Sequence, residues 1–271
     1  MNTVNAKTLS SLPEVKSCMN QFLRSGQVPK IKITDCHVDS TTNLAGNVGK
    51  AVEVGIRILN SEKYDPQIFF SNSIEQLRYH NLTHDELYSI EEKIENKQNV
   101  TSLEIAQLSV NLINDLYIKQ YGAESALQIL YASSRMIKEV EKILHLYRSK
   151  GPCFKNGSFN VNLSIKNKID AEADLIMNDE LIEIKTIASK GFQKAHFYQT
   201  LIYFILAKNL KKFKRLRYFS IYLTRQNQLI RFDSEEILNK KDLAKILNIL
   251  IKKIEEDEFN NDGEFYELSN Y

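Results

Sequence analysis

The sequence predicts an α/β protein with a central mixed β-sheet flanked by helices and elaborated by an all-helical lobe. Three observations predict it. Residues 71–150 follow a helical pattern throughout. After Gly151 the chain turns to short apolar runs with the period of strands. One long helix then separates three such strands from two more, which suggests helices laid against a mixed sheet.

The elements read in order as follows. The first notable helix follows "NLAGNVGK", with Ala51, Val52, Ile56 and Leu59 on its apolar side. Thr83 with Glu86, and Thr101 with Glu104, fit capping boxes at helix starts. Gly122 and Gly151 stand where helices should stop. "FNVNLSI" alternates as a strand does, and "AEADLIMNDELIEIKT" (171–186) reads as two strands about a polar turn. A helix from about Lys190 to Leu210 follows, then "LRYFSIYLT" and "QLIRFD" as strands, then an amphipathic helix from about Lys240 to Glu255. The expected divisions are an N-terminal extension (1–43), a first core helix region (44–70), the helical insertion (71–150), a core of hairpin, helix and two strands (151–233), and a C-terminal helix with an acidic tail (234–271).

Composition sets the bounds. A chain of 271 residues with 43% hydrophobic and 26% charged residues is ordinary globular material, enough for one elaborated domain or two small ones. Cys18, Cys36 and Cys153 are far apart and suit reduced thiols, with no CxxC zinc pair. The opening "MNTVNAKTLSSLPEVKS" has no apolar signal core, and the run "FYQTLIYFILA" is too short and polar to span a bilayer. A cytoplasmic protein is expected.

The hairpin carries the chemistry. A turn centred on Asn178-Asp179 makes Met177 face Glu180, Leu175 face Ile182, Asp174 face Glu183 and Glu172 face Lys185. Asp174, Glu183 and Lys185 then share one sheet face. Two carboxylates directly opposite lie ~5 Å apart and repel. A hard divalent cation between them relieves that repulsion, because Mg²⁺ takes one or two protein carboxylates and leaves its other positions to water and phosphate. A lysine alongside can orient a water or stabilise developing charge. The bland alternative is three solvated charges on an outer strand face, with Glu172 pairing Lys185.

These residues resemble the PD-(D/E)XK nuclease superfamily, whose hallmark is an acid ending one strand and Glu-x-Lys on the next: here Asp174 and "EIK", Glu183 to Lys185. Ala173 stands where the family name has proline. "QTLIY", with Gln199 and Tyr203, resembles the Q-x-x-x-Y element of the branch related to the RecB nuclease domain. Glu53, in "GKAVE", resembles the acid that this branch carries on its first core helix. The likeness covers Asn47 to Arg57 and Phe159 to Phe232. It implies a restriction-endonuclease-like core and a Mg²⁺- or Mn²⁺-dependent nuclease, with DNA the expected substrate and RNA the alternative. Asp174, Glu183, the Ile184 carbonyl and Glu53 would hold the metal. Lys185 would activate water, Gln199 and Tyr203 would orient the strand, and Lys190 and Lys194 would contact phosphates. Glu53 pairing with Arg57 one turn on is the structural alternative.

Charge distribution supports a polyanion partner. From Thr186 to Phe232 there are ten Lys and Arg and no acid, whereas Glu255 to Glu267 holds seven acids and no base. Other signals are set aside. "GNVGK" lacks P-loop spacing, and Thr83 splits His80 from His84 as a helical metal pair. Two rival functions remain: a silent binding module on the same fold, and an interaction protein that binds a partner, or a second copy of itself, through the helical lobe.

Overall fold

The structure, a computed structural model, describes residues 4–24, 38–61, 84–166, 168–188, 192–238, 243, 245–252 and 255. It is an α/β protein built on a five-stranded mixed sheet flanked by helices. Short elements open the chain: β1 (Val4–Asn5), α1 (Ala6–Leu9) and α2 (Pro13–Phe22). Then come α3 (Ala45–Asn60), α4 (His84–Glu95), α5 (Ser102–Tyr121) and α6 (Ala123–Lys150). The strands follow as β2 (Ser158–Asn162), the short β3 (Ile169–Asp170), β4 (Glu172–Met177) and β5 (Glu180–Lys185). Helix α7 (Lys194–Asn209) leads to β6 (Tyr218–Leu223), β7 (Gln228–Asp233) and α8 (Ser234–Ile237).

The main sheet has the order β2-β4-β5-β6-β7. Only β5 and β6 run parallel, and α7 is the crossover such a pair requires. The other neighbours are antiparallel. The β4–β5 hairpin turns at Asn178-Asp179 as expected. Asn178 takes φ 55°, a left-handed conformation that asparagine tolerates. The Asp179 carbonyl then accepts the N–H groups of Arg217 and Tyr218, which sets the start of β6.

Two apolar cores lie on opposite faces of the sheet. On one face, α1, α2 and α7 pack with Phe219, Ile221 and Phe232. Helix α7 is apolar nearly all round because it sits between the sheet and the N-terminal helices. The segment expected as an extension thus supplies Leu9, Met19 and Phe22 to the main core. On the other face, α3 and α4–α6 pack against Leu175, Ile182, Ile184 and Tyr222. The described helices between α3 and β2 thus share a core with this face of the sheet. Gly55 allows the close approach of α3 and α6, since a Cβ there would fall 2.7 Å from the Leu144 side chain.

Helix ends follow the sequence where they are described. Thr101 and Glu104 form the expected capping box, and Lys93 joins Glu104 at 2.5 Å. Gly122 (φ 82°) ends α5, and Gly151 caps α6. The predicted cap at Thr83, together with His80, Cys36 and Lys190, lies outside the described residues. Among the described residues no helix is long and apolar enough to cross a membrane.

One buried ion pair had no sequence signal. Arg225, in the β6–β7 turn, is fully buried and donates to Glu139 of α6. Glu139 also accepts the backbone N–H and the hydroxyl of Thr41, each at 2.7 Å. Arg225 and Val38 exchange hydrogen bonds through the Arg225 guanidinium, its carbonyl and the Val38 backbone. Three distant segments are tied together, and residues 38–44 are fixed just ahead of α3. Burial raises the Glu139 pKa, but the bonds from Thr41 and Arg225 outweigh it and hold the carboxyl below its ordinary 4.5. Its contribution is therefore present above pH 4.5 and lost as pH falls through the lowered value.

Removing one partner of such a pair strands the other, so Glu139→Ala should cost about 3–5 kcal/mol in urea unfolding. The double substitution Glu139→Leu with Arg225→Met should recover much of that loss. Equal losses in the single and double variants would contradict this account.

Candidate active site

The site begins where a strand pair fails. The β4–β5 ladder runs through Met177↔Glu180, Ile176↔Leu181 and Leu175↔Ile182, the register expected from the turn, and goes no further. On the other side of β4, Phe159↔Leu175 and Val161↔Ala173 bracket a missing pair, Asn160 opposite Asp174. Asn160 has φ 50°. Alternation reverses at the same place. Ala171 and Ala173 belong to the α7-side core, whereas Leu175 belongs to the other core and Met177 packs against it. Val161 and Leu163 belong to the α7-side core, but Phe159 packs against the opposite one. Residues two apart should share a face, so both strands slip phase here, as at a bulge. The unbroken alternation expected for "FNVNLSI" is corrected by this slip.

Side chains replace the missing ladder. The Ile184 N–H donates to Asp174 Oδ2 at 2.7 Å, and the Asp174 N–H points to Glu183 Oε1 at 3.4 Å. The Ile184 carbonyl leaves the strand on the same side as its N–H. Lys185 Nζ donates to Glu183 Oε2 at 2.7 Å. Asp174, Glu183 and Lys185 are thus brought together as the sequence predicted, by strand divergence rather than by a straight cross-strand pair. The expected Glu172–Lys185 pairing does not occur: Glu172 faces Asn162, and Lys185 lies beside Leu223.

Helices complete the site from both faces. Helix α3 brings Glu53 within charge range of Asp174 and Lys185. The helix runs close to the end of β5, where a Cβ on Gly49 would lie 3.7 Å from the Thr186 Cβ. Arg57 donates to Glu53, so the pairing weighed as the structural alternative is present as well. From α7, Gln199 Nε2 donates to Tyr203 Oη at 3.0 Å, and both side chains are buried. Glu183 and Lys185 lie within charge range of Tyr203. Lys194 is exposed at the first position of α7. Glu172, expected only as a partner of Lys185, is instead a further acid in charge range of Asp174 and Arg57. His196, on the first turn of α7, is half-buried near Lys185.

Comparison of the chain with protein-family models, curated proteins and solved structures finds no match.

The electrostatics follow from burial and crowding. Burial, then Asp174, push the Glu183 carboxyl up to about 8 despite Lys185. Glu53 is pushed up to about 7 by burial and by Asp174, against Arg57 and Lys185. Burial draws the Lys185 ammonium downward, but Glu183 and Asp174 more than offset this and its pKa rises. Tyr203 is pushed up to about 12, first by burial and then by Glu183. His196 is pulled down to about 4 by burial and by Lys185, so it is neutral at pH 7. The acids interact, so the extra proton belongs to the cluster.

The acids Asp174, Glu183, Glu53 and Glu172 outnumber the cations Lys185 and Arg57 beside them. Among the described residues no three His, Cys, Asp or Glu side chains are gathered as a preformed metal cage. Mg²⁺ does not need one, since it binds through one or two carboxylates and keeps several waters. Asp174 and Glu183 with the Ile184 carbonyl suit that chemistry. The basic block, in contrast, is only partly available. Arg225 is buried on Glu139, Arg217 pairs with Asp233, Arg231 approaches Glu180, and Lys208 donates to the Lys214 and Leu216 carbonyls. The exposed Lys211, Lys212, Lys214 and Arg215 lie beyond the far end of α7, near the start of β6. They lie at the opposite end of β6 from Leu223, the neighbour of Lys185.

The raised carboxyls set a pH dependence. A group with a raised folded pKa stabilises the fold below its unfolded value and loses that contribution as pH rises through its folded value. Without metal, stability should therefore fall between pH 4.5 and about 8, by at most ~1.4 kcal/mol per pH unit for each proton. Glu183→Gln should flatten this slope. Urea midpoints across that range measure both, and an unchanged slope in the variant would refute the assignment.

Proposed function

We propose that this chain is a divalent-metal-dependent nuclease, acting on DNA, with its site on a restriction-endonuclease-like core. The observation that carries the reading is the convergence of Asp174, Glu183 and Lys185 where β4 and β5 part. Like charges held in a buried strand end are poor design for stability. They are good design for binding a cation and the phosphate it carries. The PD-(D/E)XK resemblance, with Q-x-x-x-Y on α7 and an acid on α3, supports the same conclusion.

In this reading Asp174 and Glu183 hold Mg²⁺ or Mn²⁺, with the Ile184 carbonyl and Glu53 as further ligands. When bound, the ion supplies Lewis-acid polarisation of a phosphoryl oxygen and acidifies a water. The chain supplies the rest. Lys185, fixed on Glu183, orients the attacking water and offsets charge developing on the phosphate. Because its ammonium is strengthened by Glu183 and Asp174, it acts as a charged donor in the metal-free state and not as a free base. The Gln199–Tyr203 pair presents amide and phenol groups from one helix face to orient the strand. Lys194 contacts a phosphate at the exposed start of α7.

A second reading has its own observation. Arg57 engages Glu53, and no three acidic or histidine ligands converge among the described residues, which suits a module that binds nucleic acid without turnover. The two readings separate in one assay. Linear, circular and single-stranded DNA and an RNA are incubated with Mn²⁺ or with chelator.

The nuclease reading expects metal-dependent cleavage. It expects Asp174→Ala and Lys185→Ala each to reduce the rate by at least about a hundredfold, the scale of lost acid–base and electrostatic groups, with unchanged circular dichroism. Full activity in either variant would remove the mechanism. Salt-sensitive binding with no cleavage under any condition would favour the binding module.

A further inference from the structure

We propose that Arg57 is the resident counter-cation of the site and competes with the divalent metal for Glu53. The inference rests on the reading of Asp174 and Glu183 as a metal centre and adds a residue that the sequence pattern does not include. Arg57 stands one turn after Glu53 on α3, and its guanidinium donates to the Glu53 carboxylate. Its side chain is only 10% exposed. Its Nε is buried and has no hydrogen-bond partner among the described residues. A second acid, Glu172, lies within its charge range. An arginine cannot shed its proton, so this positive charge is permanent.

The position of the pair matters. Glu53 faces Asp174 and Lys185 across the parted strand end, so its carboxylate is the nearest acid that α3 can offer to a cation held there. An oxygen already accepting from a guanidinium is a poorer ligand, and a fixed positive charge repels a divalent ion nearby. While Arg57 holds Glu53, the acids have a partner without metal, and Glu53 is a weaker ligand. A metal that takes the Glu53 oxygen bound by Arg57 must displace the guanidinium. The freed guanidinium is then a planar donor beside the site, suited to a phosphate oxygen. Arg57 is thus a positioning residue that weakens metal binding to the resting protein.

The test is Mn²⁺ binding by calorimetry at pH 8 with the full chain, with no substrate present. Arg57→Met should bind Mn²⁺ roughly tenfold more tightly than the parent protein, the scale of one charge removed near the ion. Glu53→Gln should bind it more weakly. In the Glu53→Gln background, Arg57→Met should have little further effect, because the two substitutions act on one interaction. Equal or weaker binding by a folded Arg57→Met protein would overturn the proposal. If that variant does not fold, Glu53→Gln decides alone, since unchanged Mn²⁺ affinity would show that Glu53 is no ligand and leave Arg57 nothing to compete for. Failure of the underlying reading looks different: Asp174→Asn would then leave Mn²⁺ affinity unaltered whatever stands at position 57.

Discussion

The parting of β4 and β5 at Asp174 is the constraint on which the site depends. A strand's N–H groups must find acceptors when they are buried. Where the ladder stops, the Ile184 N–H has Asp174 as its acceptor, and the Asp174 N–H turns to Glu183. Those two contacts set carboxylates against each other at the end of a buried strand. Lys185 is then required, two residues on and on the same face, to offset the charge. A continuous ladder would have used backbone carbonyls instead and left the acids free to point apart. Asn160, in a left-handed conformation opposite the break, is the local device that lets β2 follow β4 through the slip.

The layers on each face then decide what enters this gap. Helix α7 lies on the face that carries Glu183 and Lys185, and it supplies Gln199 and Tyr203. Helix α3 lies on the other face and reaches the site because the strands have separated there. Its approach is prepared far away. Glu139 binds Thr41 and Arg225, which fixes the segment leading into α3, and Gly55 lets α3 settle against α6. The buried pair is costly to desolvate. Its consequence is geometric: it joins the α5–α6 layer, the β6–β7 turn and the start of α3 into one frame.

Much of this was legible in the sequence, and the reasons differ by element. The Asn178-Asp179 turn fixed the hairpin register, because turn chemistry and period-two alternation act locally. The capping box at Thr101 and the stops at Gly122 and Gly151 are local for the same reason. The short spacing of Glu183 and Lys185 placed them on one face, and the four-residue spacing of Gln199 and Tyr203 let them bond. The phase slip was not legible, since "FNVNLSI" alternates without interruption and nothing in it marks Asn160. Nor was the Arg225–Glu139 pair, whose partners are 86 residues apart. The N-terminal helices were read as an extension because each is short and their packing partner, α7, comes much later in the chain.

The basic block shows why charge along a sequence is not charge on a surface. The acids absent from residues 186–232 are supplied by other segments: Glu139 from α6, Glu180 from β5 and Asp233 from the end of β7. What stays exposed is the run after α7, beside the start of β6, whereas Lys185 is at the far end of the neighbouring parallel strand. Five residues at about 3.3 Å separate those two ends, roughly 16 Å along the sheet. That is about five nucleotide steps at 3.4 Å per strand. On the nuclease reading, Lys211, Lys212, Lys214 and Arg215 therefore cannot serve the phosphate being cut. On that reading their place is on flanking backbone, where they add affinity without chemistry, and the charge acting on the scissile phosphate comes from nearer groups: Lys185, Lys194, Arg57 once released from Glu53, and a metal held by Asp174 and Glu183.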